Sequence, residues 1–429
     1  MGMRKIIVAG AVGNAIDFYD FIIYGYLASY FAANFFSPEY PVAAMLASYT
    51  AFAVGLIMRP IGGILFGNIG DRLSRKSALQ WSVILMALPT FLVGLLPTFS
   101  DIGIAAPIIL FLLRMIQGLA VGGEYGSSMV YLVEKAPINR RGFIGSFISF
   151  GSAMGFFLGA AVCLTVTSVI DSASMHAWGW RIPFLLSIIL TIIGVIVRRQ
   201  LIDDKINPDE RVSAPVREVI KNKPGAVITL ALTSCCVNVS SYVGFVYVVP
   251  WLVQQAHIPQ AKALSVNMVS IFLCIFISIL GGMLSDRIGR IRTIKYAAWF
   301  FAIMALPIFQ LLLTGELWLM ILASILIALG QGIYQGSLAA LVVTLFPKNI
   351  RVSGVGFSYN LAVGIFGGLS PLIAEYLVLD RQLTLAPAYL LIGGAMISLL
   401  TLYISPLWRH SDERLPEDNV KPITTQQLA

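Results

Sequence analysis

The chain has 429 residues, of which 58% are hydrophobic and only 12% charged, and its formal net charge is +8. A water-soluble protein of this length needs far more charge to cover its surface, so a soluble domain is excluded at the outset. The basic excess would suit either nucleic acid or anionic lipid, and its distribution along the chain decides between them.

Apolar runs of about 18 residues or more recur throughout, each long enough to cross a hydrocarbon core of about 30 Å. They predict spans at roughly 6–36, 43–70, 77–97, 104–134, 142–169, 181–200, 225–255, 262–285, 294–313, 317–346, 352–378 and 386–408. Arg4 and Lys5 precede the first run, which continues to about Phe36 without a small-residue cleavage site. That predicts an uncleaved membrane helix rather than a signal peptide. The polar stretch 201–224 divides the spans six and six. The expected organisation is a six-helix bundle over 1–200, a cytoplasmic linker over 201–224, a second six-helix bundle over 225–408 and a cytoplasmic tail over 409–429. The tail has no heptad pattern, so no coiled coil is expected there.

With the N-terminus placed in the cytoplasm, 24 of the 29 basic residues fall in loops on that side. Arg181, Lys262 and Arg381 fall opposite, and Arg59 and Arg114 lie within spans. Such a bias orients a multi-pass protein with both termini cytoplasmic, as expected in a bacterial inner membrane. The positive charge then faces lipid headgroups, and no nucleic-acid partner is expected. The expected partners are the bilayer and a small-molecule substrate, with the protein working as a monomer. Cys163, Cys235, Cys236 and Cys274 all sit in apolar runs without metal-type spacing, so neither disulfides nor a metal site is expected.

The two halves repeat. The stretch Gly67 to Lys76 (GNIGDRLSRK) follows the second span and Gly281 to Arg292 (GGMLSDRIGRIR) the eighth, with Asp71 and Asp286 215 residues apart. Pro137 and Arg141 are echoed by Pro347 and Arg351, each at an offset of 210. Two echoes at nearly one spacing argue for parallel duplication, an arrangement that puts substrate between the halves near mid-membrane. In the repeated loop, Gly63, Gly67 and Gly70 permit close helix approach. The acid and its basic neighbours can latch helix ends together in one conformation and release them in another. A plain basic loop would account for the arginines but not for the Asp. The expected latch comprises Gly67, Asp71, Arg72, Arg75, Lys76, Glu134, Arg140, Arg141, Asp286, Arg287, Arg290 and Arg351.

That loop resembles the signature of the major facilitator superfamily. The stretches Arg114 to Gly142 (RMIQGLAVGGEYGSSMVYLVEKAPINRRG) and Gly13 to Gly25 (GNAIDFYDFIIYG) are similar to its metabolite:proton symporter branch. The RPIGGILFG from Arg59 and the GFSYNLAVGIFGGLSP from Gly356 agree. The resemblance spans nearly all of the membrane part. It implies an all-α membrane protein of twelve helices in two pseudo-symmetric six-helix bundles. Members of the branch carry proline and betaine, 2-oxoglutarate, citrate or shikimate, so the motifs identify the machine and not the cargo. Two departures stand out: Thr344 occupies the place of the usual acid in Glu-Leu-Phe-Pro, and LIDDKINPDE replaces the acid-Thr-Pro segment after the sixth span. The long coiled-coil tail of osmosensing members is also missing, so osmotic gating is not expected.

A charge inside the bilayer costs several kcal/mol and is a functional candidate by default. Five stand out: Asp17, Asp20, Arg59, Arg114 and Glu124. At about 1.5 Å per residue, Asp17 and Arg59 lie roughly 18 Å from their cytoplasmic ends, and Asp20 and Arg114 somewhat further out. Two tiers are expected, Asp20 with Arg114, and Asp17 or Glu124 with Arg59. An Asp beside an Arg keeps its charge, and an Asp parted from it in dry surroundings takes up a proton. The resemblance implies that role for a first-helix acid and a fourth-helix Arg, matched here by Asp20 and Arg114. Asp20 is therefore the expected main proton site, with Asp17 or Glu124 as accessory. The alternative is a static cluster that only fixes packing.

Arg59 or Arg114 could hold a substrate carboxylate through bidentate donors. Further candidate contacts are Tyr24, Gln117, Asn238, Ser241, Tyr242, Tyr247, Gln331, Tyr334, Gln335, Tyr359 and Asn360. Trp251, Trp318 and Trp408 lie near span ends and are expected as interfacial anchors. No phosphate loop, HExxH or Gly-x-Ser-x-Gly elbow is present, so no enzyme activity and no cofactor beyond the coupling proton are expected. The expected function is symport of a small carboxylate-bearing metabolite with protons by alternating access. An exporter, an uncoupled facilitator and a non-transporting sensor remain as alternatives.

Overall fold

Inside hydrocarbon every backbone N–H and C=O must be satisfied within its own segment, so each apolar run becomes a helix. The computed structural model describes the backbone of residues 3–72, 75–199 and 215–409. It describes the side chains of 11–66, 85–193, 196 and 216–408, apart from Asp17, Leu190 and Glu124. Among these residues the secondary structure is entirely helical. There are twelve passes. The first six are α1 (Met3–Tyr26 continued by Ala28–Phe35), α2 (Pro41–Ile57 then Arg59–Arg72), α3 (Arg75–Leu95), α4 (Ala105–Val121 then Glu124–Lys135), α5 (Arg141–Val169) and α6 (Ile182–Arg199). The second six are α7 (Pro224–Gln255), α8 (Gln260–Ile288), α9 (Arg290–Leu313), α10 (Leu317–Leu345), α11 (Lys348–Leu379) and α12 (Ala386–Ile404). They fall within a few residues of the spans expected from hydropathy. Of the segment 201–224, most lies outside the described residues, and Pro215–Asn222 is a short helix.

Among the described residues, nine of these helices are long and apolar enough to cross a bilayer. Large apolar side chains point outward, among them Leu112, Phe276, Leu280 and Leu400. A water-exposed surface would not carry so much contiguous apolar area.

Polar side chains instead gather where the halves meet. Helix α5 packs on α1 within its own half and on α8 and α10 of the other, while α2 and α4 pack on α11. Small residues set these spacings. A Cβ on Gly118 of α4 would overlap the carbonyl of Gly55 in α2, and one on Gly122 would overlap that of Arg59. In the second half, Gly336 of α10 meets the carbonyl of Ser278 in α8 in the same way. Helix pairs α2–α4 and α8–α10 thus repeat one contact, as duplication requires.

The helices break where the buried charges lie. Regular helix is interrupted at Met58, just before Arg59-Pro60, and again at Gly122–Gly123. Proline lacks the N–H that would continue the ladder, which explains the first break. Helices α7 and α11 each contain a π-turn, over Tyr242–Tyr247 and Val363–Gly368. Gly367 leaves room for the ring of Tyr242, so the two turns abut.

Two of the three expected interfacial tryptophans are placed differently. Trp251 is fully buried, donates to the carbonyl of Thr384 at 2.9 Å and meets the Phe309 ring edge-on. Trp408 is also buried, with its indole N–H 3.1 Å from Thr233 Oγ1. An internal acceptor satisfies each indole, so neither needs the wet interface. Trp318 is exposed, as an anchor would be.

Gly118→Val should cost about 1–3 kcal/mol through overpacking and lower the thermal midpoint of purified protein. Gly393 has open space around it, so Gly393→Ala should leave that midpoint within error.

Candidate functional site

Three elements of the first half converge around the buried acid of α1. Gln117 Nε2 of α4 donates to Thr90 Oγ1 of α3 at 2.7 Å, and that hydroxyl donates to Asp20 Oδ2 at 2.8 Å. Arg114, one turn from Gln117, lays its guanidinium on the face of Tyr24, 3.9 Å from the ring centroid. The Tyr24 hydroxyl donates to the carbonyl of Ser48 in α2 at 3.1 Å. Asp20 and Arg114 are 4% and 1% exposed, so both charges are removed from solvent.

The expected direct pairing of Asp20 with Arg114 is not made. They share one pocket, but the arginine stacks on an aromatic face while a hydroxyl holds the carboxylate. Arg114 Nε and Nη2 have no hydrogen-bond partner. A buried guanidinium with free donors is uncommon in a folded protein and points to a group that is bound only at times. The second expected tier, Arg59 with Asp17 or Glu124, involves acids whose side chains lie outside the described residues.

Arg59 sits where the halves touch. Its Nε donates to Asn360 Oδ1 of α11 at 3.1 Å, and Asn360 in turn donates to the carbonyl of Gly122. Tyr125 of α4 stacks on Tyr359 of α11 with centroids 4.7 Å apart and planes 17° from parallel. Tyr242 of α7 lies near Arg59. Beyond it, Gln331 of α10 bonds Ser240 and Ser241 and donates to Gln335 Oε1 at 2.8 Å. These residues form one polar layer across the interface. Asn238 and Tyr334 do not join it: Asn238 donates to the carbonyl of Ser234 at 2.8 Å and Tyr334 to that of Thr233.

Both ends of the interface are closed. At the end bearing the repeated basic loops, Asp286 accepts the backbone N–H groups of Gly142 and Phe143, each at 2.8 Å. These are the first amides of α5, where a carboxylate meets both free donors and the positive end of the helix dipole. Only glycine fits at 142, because a Cβ would strike Asp286, Ser285 and Gly282. Arg351 Nη1 lies 2.6 Å from Glu134 Oε1 across the halves, and its Nε donates to the carbonyl of Phe346 at 3.0 Å. Arg290 donates to the carbonyl of Ala340 at 3.3 Å, within its own half. Arg140 and Arg287 are exposed. The side chains of Asp71, Arg72, Arg75 and Lys76, and the surroundings of Gly67, lie outside what is described.

The opposite end closes with uncharged groups. Tyr30 of α1 donates to Gln260 Oε1 at 2.9 Å, Gln260 donates back to the carbonyl of Tyr26 at 3.1 Å, and Asn267 donates to the Tyr26 hydroxyl at 2.6 Å. A cavity of about 40 Å³ lined by Tyr26, Ser29, Pro250, Val253, Gln254 and Gln260 lies beside this seam.

One further buried acid was not among the five intramembrane candidates. Glu375 of α11 is fully buried, four residues inside the end of its helix. Its partners, Tyr247 and Gln254, are on α7. The lone acid within span 352–378 met the same criterion as the others, and that criterion would have found it. Thr90 and Tyr125 carried no comparable signal.

Residues 11–371 match the family model described as Major Facilitator Superfamily. The chain belongs to the major facilitator superfamily. Among its relatives, the glycine betaine/proline/ectoine/pipecolic acid transporter OusA of Dickeya dadantii is 33% identical over 415 residues. That match covers 93% of this chain and 82% of the relative. The proline/betaine transporter of Escherichia coli strain K12 is 31% identical over 413 residues, with the same two coverages. A crystal structure of a D-xylose-proton symporter superposes with a TM-score of 0.74 at 17% identity, covering 97% of this chain and all of the other. A partially occluded inward-open structure of the E. coli xylose transporter XylE gives 0.72 at 17% identity. At that identity the likeness is one of fold. The protein is thus a transporter, not an enzyme, and a multi-pass membrane protein of the superfamily's twelve-helix design.

The superfamily's internal repeat exposes an asymmetry in this member. At the offset of 210, Glu134 corresponds to Thr344 and Arg351 to Arg141. Glu134 pairs with Arg351, but the reciprocal pair lacks its acid, and the Thr344 hydroxyl donates to the carbonyl of Leu341 at 2.6 Å instead. A cysteine at the buried Ser285 reports opening at this end. Its labelling by a maleimide should rise in Glu134→Gln, where the buried Arg351 loses its glutamate at a cost of about 3 kcal/mol. It should fall below the parent in Thr344→Glu, which supplies the missing acid.

Proposed function

We propose that this transporter is a proton-coupled symporter of a small carboxylate-bearing metabolite, working by alternating access between two six-helix bundles. The observation that carries this reading is Arg114: a buried cation with unpartnered donors, in one pocket with the buried acid Asp20. Substrate carboxylate on Arg114 satisfies those donors. A proton on Asp20 removes the negative charge that would otherwise repel that carboxylate. Binding of the one therefore favours binding of the other, which is the linkage a symporter needs.

Zwitterions are the favoured cargo class. Proline and betaine, named for the relatives at 31–33% identity, each pair one carboxylate with one cationic nitrogen. The rings of Tyr125, Tyr242 and Tyr359 offer faces for a cationic group. The rest of the proposal concerns setting. The bundles are 1–200 and 225–408, joined by a cytoplasmic linker over 201–224 and followed by a cytoplasmic tail over 409–429. The protein sits in a bacterial inner membrane with the basic-loop end inward, acts as a monomer and uses no cofactor beyond the proton.

Uptake of labelled proline, glycine betaine and a dicarboxylate into proteoliposomes, with and without an imposed proton gradient, tests the reading. The gradient should drive accumulation of a zwitterion above equilibrium. Asp20→Asn should abolish that accumulation while leaving counterflow exchange, and uphill transport by this variant would overturn the assignment. Arg114→Lys should raise KM about tenfold, the loss of about 1.4 kcal/mol expected when a fork of donors becomes a point charge.

A further inference from the structure

The seam at the outer end, by the orientation proposed above, is closed by neutral hydrogen bonds, yet one acid is buried beside it. Glu375 Oε2 accepts the Tyr247 hydroxyl at 2.7 Å, and Oε1 accepts Gln254 Nε2 at 3.2 Å. The residue has no solvent exposure. Among the described residues it forms no ion pair. The elements packed against α11 here are α2, α7 and α12, and the described side chains of those helices at this depth include no Lys, Arg, His or other acid. Helix α2 contributes Tyr49, and α7 contributes Tyr247 and the neutral Gln254. On α11 itself, Tyr376 is partly exposed, and Arg381 lies at the exposed end, 3.2 Å from Asp380.

A carboxylate shut off from bulk solvent with no cation beside it costs several kcal/mol to bury, and two dipolar donors offset only part of that. The site also straddles the two halves. Tyr49 belongs to the first half, is fully buried, and has a hydroxyl with no hydrogen-bond partner. Its ring meets that of Tyr247 edge-on, with centroids 5.6 Å apart. Tyr49 also lies close enough to Glu375 to interact with its charge, and α2 packs on this part of α11, so the first half closes over the acid of the second. On the next helix pair, Val246 of α7 is pressed against Gly25 of α1.

We propose that Glu375 is a proton-binding site of the second half that locks the outer gate. It carries a proton while Tyr49 covers it and releases that proton to outer water when the halves part. The carboxyl group is neutral in the closed form. As the gate opens, Tyr49 withdraws, water reaches the carboxyl oxygens, and the O–H proton passes to water to leave a hydrated carboxylate. Closing reverses the step and takes one proton from the outside. Outer closure therefore depends on external pH through a group separate from Asp20. The proposal rests on the alternating-access reading but not on Asp20 being the coupling site.

The test reads the gate directly, without substrate or gradient. Cysteine replaces Val246, which is reachable only when α1 and α7 part, and a second protein carries Ser172→Cys in the exposed outer loop as the reference for thiol reactivity. The four native cysteines are buried. The ratio of maleimide labelling, Val246→Cys over Ser172→Cys, should rise from pH 6 to pH 8, by at most about tenfold per pH unit for one proton. Glu375→Gln, a permanently neutral isostere, should hold the ratio low and flat while retaining the parent's elution profile. Tyr247→Phe keeps the carboxyl group, removes its shorter hydrogen bond and should move the midpoint of the pH profile. A ratio in the parent that does not change with pH, a parent-like profile in Glu375→Gln, or an unmoved midpoint in Tyr247→Phe would each overturn the proposal. In an Asp20→Asn background the pH dependence should persist, which separates failure of this lock from failure of the coupling assignment.

Discussion

Polar side chains cannot face lipid, so a chain that must move a polar cargo has to store its polar groups between its own helices. In this protein they are stored mostly where the two bundles meet. Arg59 with Asn360, the Tyr125–Tyr359 stack and the Gln331 cluster lie at that interface, and the outward faces carry leucine, isoleucine and phenylalanine. Everything else follows from keeping that interface dense when closed and separable when open. Glycine pairs such as Gly55 with Gly118 let helices within a half touch backbone to backbone, so each half can move as a unit.

The two ends of the interface use different chemistry. At the basic end, an acid on a helix N-terminus and an arginine–glutamate pair hold α5 to α8 and α4 to α11. These are charge-assisted contacts, strong individually and demanding in geometry. At the other end phenols and amides bond one another, and each such bond contributes about 1 kcal/mol net. Thr344 stands where a second, symmetric ion pair would need its acid, so the basic end has one such pair rather than two.

Much of the architecture was legible because membrane physics leaves few options. The apolar runs fixed the twelve passes to within a few residues, and the echo between Asp71 and Asp286 exposed the duplication. The cross-interface partners of Arg351 and Asp286 were legible only as a list of latch residues. Nothing local indicates that Glu134 should meet an arginine 217 positions later, or that Asp286 should choose backbone amides over a cation. The Asp20 pocket shows the same limit. Its acid and arginine are conspicuous in an apolar run, but Thr90, which holds the acid, looks like an ordinary helix residue, and Gln117, a candidate substrate contact, instead bonds that threonine. Tyr24 stood out only as one candidate contact among several, and its place as the platform for Arg114 depends on a side-chain rotamer. The tryptophans Trp251 and Trp408 mislead for a related reason: position near a span end says nothing about whether an internal carbonyl or hydroxyl awaits the indole N–H.

The distribution of acids has a mechanical consequence. Asp20 lies within the first bundle, held by α3 beside a cation from α4, so its surroundings change only if helices shift within that bundle or a ligand reaches Arg114. Glu375 belongs to the second bundle but is covered by Tyr49 of the first, so its surroundings change whenever the bundles rock. On the proposed reading, the first acid is placed to sense cargo and the second to sense conformation. A carrier that must not move protons without cargo needs both kinds of sensor, because occupancy and gate position have to be tied to each other. The polar layer of Arg59, Asn360 and Tyr242 lies between the bundles, so its contacts too must part when the bundles rock.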